Sequence, residues 1–542
     1  MVRSDEGRMG GVHYRVWLTV VILGAVLLQV VYYQPRLGTD AQRWVSTAIQ
    51  FGFLDGDPEN RVLHQRIFWT GFLALLGKAF PLTVESVHLV VTVLGVVSML
   101  LLAGAVRISA GPAASLVAVA FFALHPLTTI FGTFIVADAL AIPLFLASIL
   151  FLFRYLRWRS DRDILLAALF AGLLVFTKTY FALVLVPIFL GRLAYADPTW
   201  GGRLRGGALV AGGFLASVGL GLLLHRLAYG DFLWFLEGYS SYADRLMERG
   251  DSAVSAGLTA GYAKIVFERF SYLGTLFVES GVVAGFFALL AAVYSLVAFR
   301  RSPEHMTVAF LLAGFYVFLS FAPAGFSPFV FVEMQPRYLL LLVCLLAIGL
   351  GLLVANTQLR LEEGRGVYFG GAVLAAMIGL NAVSPNLMTA NYDRYKWLEY
   401  RAIEAIVTGE MGFDMTGLAL LDVYEGKFHD RLASQMIPVE MIEPSDTIQD
   451  DVMNYLKSGQ NRALFIRRTR YPTLAGAVRA NELAEINEFG SERGRDLVRF
   501  LESEGFRKIP VHVPSSPLRY WAAFFGLGGS GELAGWVLRQ SR

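Results

Sequence analysis

"VWLTVVILGAVLLQVVYYQPRLGTDAQRW", residues 16–44, passes from eighteen residues with no charge straight into an aromatic, amide and charged stretch. The apolar run is too long for the core of a secretory signal, and no small-residue cleavage site follows it. It therefore reads as an uncleaved first span, with the basic end "MVRSDEGRMGGVHYR" on the cytoplasmic side. The polar stretch that follows then begins outside, and Asp40 stands only a few residues beyond the membrane.

The rest of the chain supports this. Of 542 residues, 56% are hydrophobic and 16% charged, a balance that marks a polytopic membrane protein and not a large soluble enzyme. The net charge of +3 gives no nucleic-acid footprint. The single cysteine, Cys344, lies in "YLLLLVCLLAIGLGLL", which excludes an intramolecular disulfide and a thiolate metal site. No Asn-x-Ser/Thr sequon occurs, as suits a prokaryotic protein better than a eukaryotic luminal one.

A spanning helix needs about 20 mostly apolar residues. On that basis about eleven transmembrane helices are predicted, near 16–33, 84–106, 114–130, 138–155, 164–178, 180–192, 206–228, 273–298, 306–323, 338–356 and 367–384; two are short enough to be broken or re-entrant. With the N-terminus inside, the loops assigned to the cytoplasm include "RISAGPA", "RYLRWRSDRD" and "FRRSPEH", short and arginine-bearing as the positive-inside rule requires. The predicted transmembrane domain is 1–385, with a first outer loop over 34–83. From 386 the composition changes: 40 of the last 157 residues are charged, against 49 of the first 385. Short apolar runs such as "GLALLDVY" and "RALFIRR" alternate there with amphipathic stretches such as "RGRDLVRFLESEGF". Residues 386–542 are thus predicted to be a soluble α/β domain, extracytoplasmic because the span count is odd.

Each candidate site residue has a plain structural reading beside its functional one. Asp40 in "LGTDAQRW" is either a boundary carboxylate with a role or the N-cap of a short surface helix. The acidic turn "LDGDPEN" is ordinary turn chemistry as much as a cation site. His64 and Arg66 in "RVLHQRIFW" are suited to a phosphate, or snorkel at the interface with Trp69 as a belt aromatic. Asp138 closes "FGTFIVAD" and opens an apolar run, at a helix N-terminus where the dipole favours a carboxylate. Lys178 interrupts "LVFTKTYFALV" at a predicted outer turn, where a charge faces a cavity or partner unless it snorkels. Arg337 and Tyr338 in "VEMQPRYLLLL" stand at the last outer loop, as a phosphate site or an interfacial anchor. "GLGGSG" at 526–531 has no preceding strand to make it a dinucleotide site.

Several of these elements occur in a telling order: an early outer Asp with an aromatic four residues on in "TDAQRWVSTA", the re-entry "HQRIFWTGFLALLGKAF", the acid-opened span in "HPLTTIFGTFIVADALAIPLFLASILFL", and a late "PRYLLLL". Together they resemble the C-type superfamily of integral-membrane glycosyltransferases, in outline the bacterial aminoarabinose transferases and protein O-mannosyltransferases. The resemblance covers roughly 16–350. It departs from the family's pattern where Asp40 has Thr39 and Ala41 as neighbours, where Trp44 replaces a commoner Tyr, and where "LHQRIFW" replaces a Lys-Pro-Pro re-entry.

The resemblance implies transfer of a sugar from a polyprenyl-phosphate donor to a lipid, glycan or protein acceptor on the extracytoplasmic side of the cell (inner) membrane. It gives Asp40 and Asp138 catalytic roles, and Arg337, Arg66, His64 and Lys178 the donor phosphate. Trp44, Tyr338 and Trp69 become candidates for the substrate pocket. No cofactor is required by this reading, and a divalent cation is left open. Membrane lipids are the other expected partners. The competing readings are a polyprenyl-linked glycan polymerase or ligase, and a lipid or sugar transporter, which would show charged or broken spans near mid-membrane in two related halves.

Overall fold

The computed structural model describes residues 11–31, 66–80, 84–131, 136–194, 199–233, 284–321, 323–326, 329–331, 339–358, 417–421, 439–442, 448–458, 462–467, 492–513 and 532–540. The chain divides into two compact units, one of residues 1–29 and 43–386, the other of 30–42 and 387–542.

The described part of the first unit is a helical bundle: α1 (Gly11–Val31), α2 (Ile67–Ala79), α3 (Val84–Ala110), α4 (Pro112–Leu124), α5 (Pro126–Phe131), α6 (Asp138–Trp158), α7 (Asp161–Lys178), a 3-10 segment (Thr179–Val184), α8 (Leu185–Ala194), α9 (Trp200–Tyr229), α10 (Ala284–Val297), α11 (Pro303–Phe321) and α12 (Leu340–Gln358). Six helical stretches, 86–110, 138–158, 161–191, 200–229, 303–320 and 340–357, are long and apolar enough to cross a membrane. Large apolar side chains such as Leu23, Leu89, Leu215 and Val297 are exposed on the bundle, while α12 is buried over most of its length, the pattern of a multi-pass protein whose outer surface meets lipid. Ten of the eleven predicted spans overlap described helices in whole or in part: 273–298 is described only from 284, 114–130 is divided at His125 into α4 and α5, and 180–192 is a 3-10 segment followed by α8. The eleventh, 367–384, lies outside the described residues.

The stretch 161–191 is not one rod, which at 1.5 Å per residue would exceed the hydrocarbon thickness by about half. At Lys178 the backbone is extended, with φ −159° and ψ 93°. The chain then turns back: a Cβ placed on Gly191 would lie 3.5 Å from Leu152 and Leu156, beside the Arg154–Asp163 ion pair that marks the start of α7. No proline or glycine stands in "FTKTYFA" to force the break, so tertiary packing imposes it. The helix α2 lies within what the sequence suggests is one outer loop; its 13 residues are apolar but too few to span.

Side-chain contacts fix the helix directions. α6 and α7 are antiparallel: Arg154 meets Asp163 at one end, Ser148 donates to the Ala167 carbonyl at 2.8 Å midway, and Asp138 meets Lys178 at the other end. α7 and α9 run in the same direction and approach closely through small residues. A Cβ on Gly213 would come within 2.6 Å of the Leu165 carbonyl oxygen, and Ser217 donates to the Leu169 carbonyl at 2.8 Å. At one end of the bundle Ser115 donates to the Ala103 carbonyl at 2.9 Å and accepts from Tyr14 at 2.9 Å, which fastens α1, α3 and α4 together. A Cβ on Gly351 would meet Val106 and Ala114 at the same end.

Two short strands, β1 (Pro323–Phe326) and β2 (Phe329–Phe331), form an antiparallel hairpin between α11 and α12. The second unit contains β3 (Gly417–Leu421), β4 (Val439–Ile442), α13 (Ile448–Lys457), β5 (Arg462–Arg467), α14 (Glu492–Ser503), β6 (Phe506–Val513) and β7 (Glu532–Gln540). Its sheet has the order β4-β3-β5-β7-β6, parallel across β4-β3-β5 and antiparallel across β5-β7-β6. Leu497, Phe500 and Leu501 put an apolar stripe on α14, which joins Val452, Leu456, Leu464 and Leu538 in a separate core.

Candidate functional site

Asp138 is the first residue of α6 and Lys178 the last of α7. Because these helices are antiparallel neighbours, the two positions come together. Lys178 Nζ donates to both carboxylate oxygens of Asp138 at 2.5 Å, and the side chains of Lys178 and Asp138 are 2% and 3% exposed respectively. Lys178 therefore does not snorkel: it is a buried cation beside a buried acid. Its Nζ also stands 5.4 Å from the centre of the Tyr180 ring, which stacks on Phe318 at 5.7 Å. Beneath the pair Phe145, Phe181 and Phe315 form a mutually edge-packed or tilted cluster with centroids 5.7–6.3 Å apart. Aromatic rings thus exclude water on that side, and a low-dielectric surrounding strengthens the field of any charge left unpaired.

The start of α2 joins the same end. Phe68 packs edge-on against Phe176 at 6.3 Å, and Ile67 and Phe176 share a small core with Ala228 at the end of α9. Trp69 is fully buried and stacks on Phe72 at 6.2 Å, so it is not a lipid-facing belt residue. Its indole Nε1 has no hydrogen-bond partner among the described residues. Arg66 is half-buried at the N-cap of α2, with its carbonyl accepting from the amides of Trp69 and Thr70.

Of the residues named from sequence, Asp138, Lys178, Trp69 and Arg66 are thus placed at one end of the bundle. Asp40, Trp44, His64, Arg337 and Tyr338 lie outside the described residues. No group of three or more His, Cys, Asp or Glu residues able to hold a metal ion occurs among the described residues.

His125 and Thr128 do not stand out from sequence alone. Both are buried, and His125 Nε2 and Thr128 Oγ1 have no hydrogen-bond partner among the described residues. Gln29 Oε1 is in the same condition. The signal is present in "LHPLTT", where a histidine and two threonines flank a proline inside an apolar run.

Residues 67–220 match the sequence profile of the dolichyl-phosphate-mannose-protein mannosyltransferase family, less than a third of the chain. No curated protein sequence matches. Among solved structures, the chain is similar to the Archaeoglobus fulgidus oligosaccharyltransferase tethered to an acceptor peptide containing an NVT sequon, with 14% identity, a TM-score of 0.46, and coverage of 78% of this chain and 64% of that one. It is also similar to ArnT from Cupriavidus metallidurans bound to undecaprenyl phosphate, with 14% identity, a TM-score of 0.44, and coverage of 86% and 95%. A third is the arabinofuranosyltransferase AftD from Mycobacteria, with 17% identity, a TM-score of 0.46, and coverage of 97% and 40%. The chain spans less than two thirds of the archaeal and mycobacterial proteins. The profile match takes in Trp69, Asp138 and Lys178, so the segment carrying the buried ion pair is the part of the chain that resembles the dolichyl-phosphate-mannose-protein mannosyltransferases.

Proposed function

We propose that this protein is a membrane glycosyltransferase, transferring a sugar from a polyprenyl-phosphate carrier to a lipid, glycan or protein acceptor on the extracytoplasmic side of the cell membrane. The observation that carries the reading is the buried Asp138–Lys178 pair, inside the segment that matches a family named for a dolichyl-phosphate-linked mannose donor. Burying two opposite charges in an apolar bundle costs more than it returns unless geometry and function require it.

The chemistry has three requirements. An acceptor oxygen attacks the anomeric carbon as the bond from that carbon to the phosphate oxygen breaks, and polyprenyl phosphate leaves with the bonding electrons. The acceptor's proton passes to a carboxylate, for which Asp40 is the candidate, with Asp138 lining the same site. Negative charge accumulating on the departing phosphate needs cations or donors, the role proposed for Lys178, Arg66, His64 and Arg337. Trp44, Trp69 and Tyr338 would pack against sugar or prenyl groups. Were a divalent cation used, Asp40 would be the candidate to hold it, and the ion would supply stabilisation of phosphate charge. The domain proposed over 386–542 would recognise the acceptor.

The test is incubation of purified protein with radiolabelled polyprenyl-phosphate sugars, comparing wild type with Asp40→Asn and Asp138→Asn. Transfer by the wild type that both substitutions abolish supports the reading. Transfer untouched by Asp40→Asn removes that residue from the mechanism. An inert wild type that moves lipid or sugar across liposomes favours transport.

A further inference from the structure

We propose that His125 and Thr128 form a subsite for the sugar hydroxyls of the donor, at the same end of the bundle as Asp138 and Lys178; the proposal rests on the glycosyltransferase reading. The Leu127 amide donates to His125 Nδ1 at 3.2 Å. That bond makes Nδ1 the acceptor and leaves the ring hydrogen on Nε2. His125 thus presents one neutral N–H donor, and Thr128 one hydroxyl, both buried and both without a partner among the described residues. An unmet buried donor is costly, and that cost is removed when a ligand supplies an acceptor.

The helix directions set the level of the pair. A Cβ on Gly104 would meet Leu150 at 3.3 Å, and one on Gly351 would meet Val106 and Ala114, so these residues share one level across α3, α4, α6 and α12. From that level, at about 1.5 Å per residue, His125 lies about 17 Å up α4, Asp138 about 18 Å up α6, and Leu340 about 17 Å up α12. All three elements therefore present these residues at a common height, and Lys178 is at that height through its bond to Asp138.

The chemistry of the pair selects the part of the donor it takes. The phosphate is an anion, for which Lys178, held beside Asp138, is the proposed cation. His125 and Thr128 carry no charge, and a donor followed three positions on by a hydroxyl that both gives and accepts hydrogen bonds suits the hydroxyls of a sugar ring.

The kinetic test uses the sugar-linked undecaprenyl phosphate that the wild type turns over, with sugar-free undecaprenyl phosphate as inhibitor. In His125→Asn the amide oxygen replaces Nδ1 as acceptor for Leu127 and nothing replaces Nε2; in His125→Gln an amide nitrogen reaches the Nε2 position. The expected result is a loss in kcat/KM of about tenfold or more for His125→Asn and for Thr128→Val, substantial recovery in His125→Gln, and unchanged inhibition by the sugar-free lipid in all three. Equal weakening of the sugar-free lipid would overturn the assignment by making the pair a phosphate site, and wild-type kinetics in His125→Asn and Thr128→Val would overturn it outright. If His125→Asn does not fold, Thr128→Val alone discriminates between the same outcomes. A wild type inert towards every sugar-linked lipid ends both the glycosyltransferase reading and the subsite, an outcome distinct from an active wild type with unaffected variants.

Discussion

Asp138 and Lys178, forty positions apart in sequence, close the space between the start of one helix and the end of its antiparallel neighbour with a pair of opposite charges that water does not reach. Removing one partner leaves the other charged and buried, which costs about 3–5 kcal/mol. Lys178→Met and Asp138→Leu should each lower resistance to unfolding in detergent by about that amount. The double substitution should recover most of the loss, since replacing both charges by apolar groups of similar size is often neutral. Glycosyl transfer should be absent in all three. A double variant no more stable than either single would show that the pair is not an isolated unit.

Two other ion pairs among the described residues should rank by burial. Asp163 is 5% exposed and accepts from Arg154 Nε at 2.9 Å, so Arg154→Gln should cost about 1–3 kcal/mol through the carboxylate left with a weaker partner. Arg205 is 74% exposed in its 3.0 Å contact with Asp161, and Arg205→Gln should change stability by less than about 1 kcal/mol. Denaturation of the two variants under one set of conditions compares them directly.

The parallel packing of α7 and α9 makes a sharper test. Gly213→Ala would drive a methyl against the Leu165 carbonyl oxygen, whereas a Cβ on Gly219 meets nothing within 4 Å. Overpacking costs about 1–3 kcal/mol, while alanine in place of an unconstrained helical glycine gains up to about 1 kcal/mol. Gly213→Ala should therefore melt below the wild type and Gly219→Ala at or above it, although six positions separate them on one helix.

Cys344 is fully buried and is the sole cysteine, so a water-soluble maleimide should leave the folded wild type unlabelled and react only after denaturation. The native protein is then a ready background for mapping orientation. A cysteine introduced at Trp158, an exposed position at the end of α6 remote from Asp138, should label from the cytoplasmic side. One introduced at Phe232, exposed just past the end of α9, should label from the opposite side. Labelling of each from the side opposite to that expected would reverse the proposed topology, and labelling of both from one side would contradict one of the helix directions.

Much of the bundle is legible in the sequence because lipid imposes a strong local rule: a span must be long, apolar and closed to backbone hydrogen bonds. The start of α6 at Asp138 and the end of α7 at Lys178 follow from charges that punctuate apolar runs. In the second unit, "GLALLDVY" and "RALFIRR" correspond to β3 and β5, and "RGRDLVRFLESEGF" to α14. The strands β4 and β7 are not legible, since "VEMI" is four residues long and "ELAGWVLRQ" follows a glycine-rich stretch without a clear alternation. The union of Asp138 with Lys178 is not legible either. Each residue suggests a separate role, and only the antiparallel register of α6 and α7 brings them together. A histidine next to a proline, as at His125, gives no sign of its unmet Nε2 until burial and the Leu127 bond are seen. For Asp40, Trp44, His64, Arg337 and Tyr338 the candidate roles rest on sequence alone.

The common direction of α7 and α9 has a consequence for how the protein is made. Two neighbours that run the same way cannot be laid down as a hairpin; the return leg α8 must be threaded between them first. The glycine contacts that cover Phe176, two residues from Lys178, wait for Gly221 to leave the ribosome, at about 5–20 residues per second. During that interval the nascent chain holds a lysine beside an aromatic face that its final neighbour has not yet covered, a state that insertion chaperones and membrane proteases are placed to sample. Substitutions that loosen α9 should therefore be felt first as lower yield during synthesis, before any loss of activity in the molecules that mature.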